Sequence, residues 1–267
     1  MSAFLEMHRP GDPLLMPNPW DVGSARLLAA LGFRALATTS SGFAATLGRP
    51  DMSVSREEAL VHAAAVVDAV DVPVSADLEN GFAHDPGGVA KTVRKAVAVG
   101  LAGCSIEDAT GKVDDPIYPI GLAAERVAAA VEGARHGFVI TARAENFLHG
   151  RPDLAETIAR LQRYQEAGAH VLYAPGLTTA AQIHAVVASV DRPVNVLALP
   201  DAPPVAELAE LGVARVSVGG AFAFAALGAL VAAGVEFAEQ GTYGFWQLAM
   251  QGRDAAREAF RTPGSRP

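Results

Sequence analysis

Four stretches of the chain read alike: Leu27-LAALGFRALATT-Ser40, Ala96-VAVGLAGCSIE-Asp108, Tyr164-QEAGAHVLYA-Pro175 and Leu208-AELGVARVSVG-Gly220. In each, a helical segment stops at a glycine and passes into a short apolar strand. Glycine just past a helix accepts the left-handed turn that ends it, and the short run that follows is apolar or β-branched. Each stretch is an αβ unit, and the unit repeats. Four more strands lie between the copies: Leu14-LMPN-Pro19, Val72-PVSA-Asp77, Phe138-VITA-Arg143 and Arg192-PVNVL-Ala198. Helical patterns fill the gaps over 22–31, 55–70, 87–100, 121–135, 153–167, 178–190, 203–211 and 221–233. The strands are nearly continuous apolar runs, as expected when both faces are covered. Eight strands alternating with helices predict a parallel sheet closed into a (β/α)8 TIM barrel, with an open doubly wound sheet as the alternative.

All 267 residues are expected to form one barrel domain, with the barrel over about 14–237 and extra C-terminal helices over about 241–260. The apolar stretch Val218 to Phe237 is rich in Ala and Gly and carries Glu236, which predicts a buried helix rather than a membrane span. The tail that follows holds Tyr243, Phe245, Trp246, Leu248 and Met250, suited to core packing or to a subunit contact. Residues 261–267, with two prolines and a glycine, are expected to fray. Hydrophobic residues make up 51% of the chain, enough for a substantial core, and the formal net charge of −8 argues against nucleic acid or an anionic membrane surface as partner. The single cysteine, Cys104, excludes an intrachain disulfide and sits in an apolar run where a buried thiol is expected. The first ten residues lack the basic and apolar segments of a signal peptide, so the expected address is the cytoplasm.

In a parallel barrel the active site lies at the C-terminal ends of the strands. Four such ends are loaded: Thr38-Thr-Ser-Ser-Gly42, Ala76-Asp-Leu-Glu-Asn-Gly81, Ile106-Glu-Asp108 and Thr141-Ala-Arg-Ala-Glu-Asn146. Asp77, Glu79 and Glu107 come from adjacent strands, and two-residue spacing sets Asp77 and Glu79 on one face. Three carboxylates converging on one spot repel one another unless a cation or protons intervene. An all-oxygen set predicts a hard ion, Mg2+ before Mn2+. Arg143 ends an apolar strand, where a guanidinium needs an anion: a substrate carboxylate, or Glu145 in a purely structural pair. Ser40, Ser41 and Gly42 offer hydroxyls and open backbone N–H groups to an oxyanion, although a Ser-Gly turn can be simply a turn. Of the seven histidines, His8, His62, His136 and His184 read as surface or helix residues, whereas His84 and His149 fall in loops on the active side. No Gly-rich phosphate fingerprint stands in the required strand–turn–helix context.

Taken in order, Asn18-Pro-Trp-Asp-Val-Gly-Ser-Ala25, Ser40-Ser-Gly-Phe-Ala-Ala45, Leu47-Gly-Arg-Pro-Asp51, Ala76-Asp-Leu-Glu-Asn-Gly-Phe82, Ser105-Ile-Glu-Asp108 and Thr141-Ala-Arg-Ala-Glu145 resemble the isocitrate lyase/phosphoenolpyruvate mutase superfamily over about residues 14–240. The resemblance implies Mg2+ met directly by Asp77, with Asp51, Glu79 and Glu107 reaching it directly or through water. It implies a small carboxylate substrate held by Ser40, Ser41, Gly42, Phe43 and Arg143, with Asn195 matching a further polar position. Catalytic roles then fall to Arg143, Glu107 and Asp51, in stabilising an enolate or related oxyanion. It also implies a homo-oligomer, tetramer or dimer, with a C-terminal helix swapped between subunits. Three positions depart from the pattern. Thr110-Gly-Lys-Val-Asp-Asp-Pro-Ile-Tyr-Pro119 replaces the Cys-bearing loop of the lyases, Tyr173-Ala-Pro-Gly176 lacks their Glu, and Glu79 stands for an Asp. The expected chemistry is therefore C–C cleavage of an oxaloacetate or substituted malate. P–C chemistry on phosphoenolpyruvate or phosphonopyruvate ranks second, ahead of an aldolase running in the condensing direction and a barrel that binds without turnover.

Overall fold

In the computed structural model, which describes residues 2–261, the chain begins with α1 (Ala3–Glu6), β1 (Leu14–Met16), α2 (Val22–Ala30) and β2 (Leu36–Ala37). Helices α3 (Ser40–Thr46) and α4 (Arg56–Val67) lead into β3 (Val74–Asp77), α5 (Pro86–Ala98) and β4 (Gly103–Glu107). Then come α6 (Ile120–Gly133), β5 (Val139–Arg143), α7 (Leu154–Glu166), β6 (Val171–Tyr173), α8 (Ala180–Ala188) and β7 (Val194–Leu197). The run ends in α9 (Val205–Glu210), β8 (Arg215–Ser217), α10 (Ala221–Gln240) and α11 (Trp246–Ala259). Apart from Arg261, the segment expected to fray lies outside the described residues.

All ladders are parallel, and the strand order is β1-β8-β7-β6-β5-β4-β3-β2. Pairing of β1 with β8 bends the sheet round on itself, which decides against the open doubly wound alternative. The β1/β2 seam is tied by a bond from the Ala37 N–H to the Pro17 carbonyl at 3.1 Å. Asn18 clamps the same seam: its amide donates to the Thr38 carbonyl, and its oxygen accepts from the Val218 and Gly219 N–H groups. The apolar core lies between strands and helices. One cluster gathers around Leu161, Tyr164, Leu172 and Ile183, a second around Leu36, Val93, Ile106 and Ile140, and Cys104 is buried in the second as expected.

Four expectations need correction. The Ser-Gly stretch after β2 is no simple turn but helix α3, started by the Thr39 side chain, which accepts from the Gly42 N–H. Helix α10 is not buried: Ala223 is its one buried residue, and Phe224, Leu230, Val231 and Phe237 are exposed. By length and composition it is apolar enough to cross a membrane. Its position directly after β8 makes it the eighth helix of the barrel cycle, but only its first turn reaches the barrel. The tail does not pack into the core either, since α11 lies on α2 with no buried residue of its own.

His8 is the fourth correction, being buried rather than at the surface. Residues 3–7 coil under the barrel, placing Phe4 in a cluster with Leu14, Met16, Val139 and Val171 and carrying His8 to the interior. Its Nδ1 donates to the Phe4 carbonyl, leaving Nε2 to accept from Arg215 Nη1 at 3.2 Å. A second ring proton would face the guanidinium. Burial first, then Arg215, push the His8 pKa down to about 3, against the ordinary 6.5. The unfolded chain therefore binds this proton more readily, so His8's contribution to stability is complete above pH 6.5 and is lost as pH falls towards 3. We expect His8→Gln to lose about 2 kcal/mol less than the parent between pH 6.5 and 5 in urea titrations. Identical pH slopes for the two proteins would contradict this assignment.

Candidate active site

The strand ends enclose a cavity of about 410 Å3. Its mouth includes Asp51, Met52, Gly111, Leu148 and His149, and it runs down inside the barrel to Met16 and Arg215. Asp77 ends β3, Glu107 ends β4 and Arg143 ends β5, so parallel topology brings all three to one end of the barrel: Glu107 pairs directly with Arg143, and Asp77 with Ser105, two residues before Glu107.

Arg143 is the hub. Its Nη1 meets Asp77 Oδ1 at 3.0 Å, its Nη2 meets Glu107 Oε2 at 3.1 Å and its Nε donates to Glu145 Oε1 at 2.7 Å. Burial alone would lower the guanidinium pKa, but Glu145, Glu107 and Asp77 hold it well above its ordinary value. Burial drives Glu107 and Glu145 upward, against the opposing pull of Arg143. Asp77 also accepts from the Ser40 hydroxyl at 3.0 Å and the Ser105 hydroxyl at 3.3 Å. The structural partner considered for Arg143, Glu145, is thus present together with two of the expected metal-site acids.

The expected three-acid convergence is not formed in this arrangement. Asp77 and Glu107 line the cavity together with Asp51, but Glu79 lies behind Asp77, beside Thr39, Phe43, Val54, His62 and Phe82. Strand alternation does not reach Glu79, because β3 stops at Asp77 and Glu79 turns with φ +48°. Burial, then Asp77 and Asp51, push its pKa up to about 8, and burial followed by Asp77 raises Asp51. Among the described residues no three His, Cys, Asp or Glu side chains stand at metal-binding spacing.

Ser40 and Ser41 line the cavity. Gly42 and Phe43 do not: a Cβ on Gly42 would come within 2.6 Å of Thr39 Cγ2 and 3.2 Å of Ala223 Cβ, and Phe43 stacks on His62 at 3.9 Å between ring centres. Asn195 also misses the cavity, bonding Arg215 and Ser217 instead. Of the loop histidines, His149 lines the cavity, whereas His84 Nδ1 bonds the Tyr118 hydroxyl.

Sequence reasoning passed over Tyr173, which lines the cavity from the end of β6 with the Arg143 guanidinium 5.3 Å from its ring centre. It stood in the stretch set aside for lacking a glutamate. Two supporting arginines were missed as well, since helix periodicity does not show where an inward charge ends. Arg126 donates to the Asn80, Ala83 and His84 carbonyls and so fixes the loop after Glu79. Arg160 meets Asp108 Oδ2 at 3.0 Å, while Asp108 Oδ1 accepts from the Glu145 N–H and Oδ2 also accepts from Tyr164. That buried triad anchors the segment carrying Glu145. Removing one member of a buried ion pair strands the other. Arg160→Met should therefore cost about 3 kcal/mol of unfolding free energy in urea melts, and a loss near zero would show that Asp108 has no need of it.

Comparison with known proteins agrees with this fold. The family model described as phosphoenolpyruvate phosphomutase matches residues 4–238. A crystal structure of a protein assigned as a lyase/mutase from Burkholderia cenocepacia J2315 is 54% identical, covers 98% of this chain and 95% of its own, and superposes with a TM-score of 0.92. The 2-methylisocitrate lyase of Escherichia coli (strain K12) is 28% identical over 209 residues, 71% of this chain and 70% of that enzyme. A phosphonopyruvate hydrolase solved with oxalate and Mg2+ shares the fold at TM-score 0.80 and 24% identity, with 97% of this chain and 98% of that one covered. The chain belongs to the isocitrate lyase/phosphoenolpyruvate mutase superfamily of C–C lyases and related mutases.

Proposed function

We propose that the protein is a magnesium-dependent lyase or hydrolase cleaving a C–C bond in a small 2-oxo or 2-hydroxy carboxylate, of the oxaloacetate or substituted-malate type. The observation that carries this reading is Arg143, buried at the C-terminal end of the barrel beside Asp77, Glu107 and the Ser40 hydroxyl. A guanidinium in that setting binds a carboxylate or an enolate oxygen through parallel N–H donors.

The donor set fits a hard divalent cation. All candidate ligands are oxygens, and the upward shifts of Asp51 and Glu79, due in part to Asp77, mark like-charge repulsion that a cation relieves. Asp77 would hold it, with Asp51 and Glu107 from the cavity and Glu79 from behind Asp77 reaching it directly or through water, and Mn2+ would suit the same donors. When bound, the cation supplies Lewis-acid stabilisation of the oxyanion that develops at the 2-oxo group. The chain's own groups do the rest. Arg143 fixes the substrate carboxylate, and the Ser40 and Ser41 hydroxyls orient the oxo oxygen. Glu107 holds the Arg143 fork in place, and Asp51 stands at the mouth, where burial raises its carboxyl pKa. The loop replacing the Cys-bearing segment is closed by a bridge between Ala109 and Ile117 and holds no cysteine, so acid–base work through such a residue has no counterpart in it. The description of the matching family model favours one second reading, P–C cleavage or transfer on phosphonopyruvate or phosphoenolpyruvate.

The test is release of pyruvate or oxalate from oxaloacetate, 2-methylisocitrate, dimethylmalate and phosphonopyruvate, with Mg2+ and with EDTA. Turnover of oxaloacetate or dimethylmalate that stops with EDTA, and that Asp77→Ala abolishes, is the expected result. Turnover of phosphonopyruvate alone would move the assignment to P–C chemistry, and turnover of none would favour a binding-only barrel.

We further propose that α10 and α11 join copies of this chain into a dimer or tetramer in the cytoplasm. An apolar helix that presents Phe224, Leu230, Val231 and Phe237 calls for a protein partner. Light scattering should give an oligomer for the parent chain and a smaller species for Leu230→Glu with Val231→Glu. A monomeric parent would end this reading.

A further inference from the structure

Barrel interiors are ordinarily filled by layers of branched apolar side chains. Here the space beneath Arg143 is polar. Ser75, Ser105 and Ser217 line the cavity wall, and its floor is the guanidinium of Arg215. Arg215 is the first residue of β8, paired with Leu14 and Asn195 and two residues below Ser217. Its Nη1 donates to the hydroxyl of Thr141, which is two residues before Arg143 on β5, so its guanidinium sits below that of Arg143.

Arg215 is 3% exposed, yet no acid pairs with it among the described residues. Its bonds go to neutral acceptors: Nε to Asn195 Oδ1 at 2.8 Å, and Nη1 to Thr141 Oγ1 and His8 Nε2, each at 3.2 Å. These occupy Nε and Nη1, and Nη2 has no described partner. A buried guanidinium without a counterion is costly. Burial pushes its pKa down to about 10, and Arg143 adds to the depression while Tyr173 opposes it. Arg143 differs in every respect, having three carboxylates around it. Two buried cations therefore face one hydroxyl-lined shaft, and only the upper one is neutralised.

We propose that Arg215 is a second anion subsite, which takes the distal carboxylate of a diacid whose 2-oxo or 2-hydroxy carboxylate end is held at Arg143. This deepens the functional reading above and rests on it. Neutral neighbours hold the fork from the side and from below, and the hydroxyls of Ser75 and Ser217 face the carboxylate from the walls, while the Ser105 hydroxyl is given to Asp77. A 2-oxo or 2-hydroxy monoacid leaves the lower guanidinium without its anion. The site therefore selects for a second carboxylate by charge, without the glutamate that the Tyr173-Ala-Pro-Gly176 stretch lacks.

The experiment is calorimetric titration of the full chain in Mg2+ with three probes: oxalate, lactate and malate. Malate is lactate with a second carboxylate, and oxalate is short enough to stay at Arg143. The parent should bind malate about 30-fold more tightly than lactate, as expected for one charge-assisted pair. In Arg215→Gln malate should weaken to the lactate level while oxalate and lactate are unchanged, and Arg215→Lys should fall between. Equal loss of malate, lactate and oxalate would mean that Arg215 only supports the fold, which overturns the subsite. Unchanged malate binding would overturn it too. If Arg215→Gln does not fold, the parent's malate-to-lactate ratio and Arg215→Lys decide, and a ratio near one is fatal. Failure of oxalate to bind the parent would instead fault the Arg143 reading itself.

Discussion

One guanidinium shared by three carboxylates organises the top of this barrel. Arg143 reaches Asp77 on β3, Glu107 on β4 and Glu145 just past its own strand. None of these groups is stable alone in so dry a place, because an isolated buried charge costs several kcal/mol. Together they hold three neighbouring chain segments in register and leave lone pairs and donors directed into a cavity. The excess of acid over base at that level is what makes a cation and an anionic substrate fit the same few ångströms.

Beneath that cluster the usual division of labour in a barrel is altered. Apolar packing stabilises the molecule between strands and helices, around Leu161 and Ile183 on one side and Val93 and Ile140 on the other. The barrel interior carries Thr141, Asn195, Ser217 and Arg215, and the His8 ring closes it from below. The interior thus serves as a place where charge is held with little reorganisation, the property a site needs to stabilise an oxyanion. Helix α10 represents the opposite imbalance, with apolar surface left on the outside of a single chain.

Much of this was readable in advance. The glycine-ended helices running into apolar strands marked four αβ units, and four apolar runs between them completed eight strands, because helix termination and strand burial are local and periodic properties. The polar residues at the ends of β3, β4 and β5 marked the site, since parallel topology sends those ends to one face. Glu79 escaped the reading because its positive φ, two residues beyond the end of β3, cancels the two-residue alternation. Gly42 and Phe43 escaped it because α3 winds that stretch into a helix, turning them towards Trp20, Ala223 and His62 while Ser40 and Ser41 keep the cavity.

By itself, then, the sequence determined the barrel, the level of the active site and the acids and arginine that crowd it, because periodicity and strand direction are written along the chain. Tertiary structure alone decided which of those acids face the cavity and which, like Asp108, brace it from behind. It alone brought His8 and Arg215, 207 positions apart, into one buried contact. The reason is physical: which charges share a desolvated space, and which are left there without a partner, depends on distances through the fold that no local pattern records.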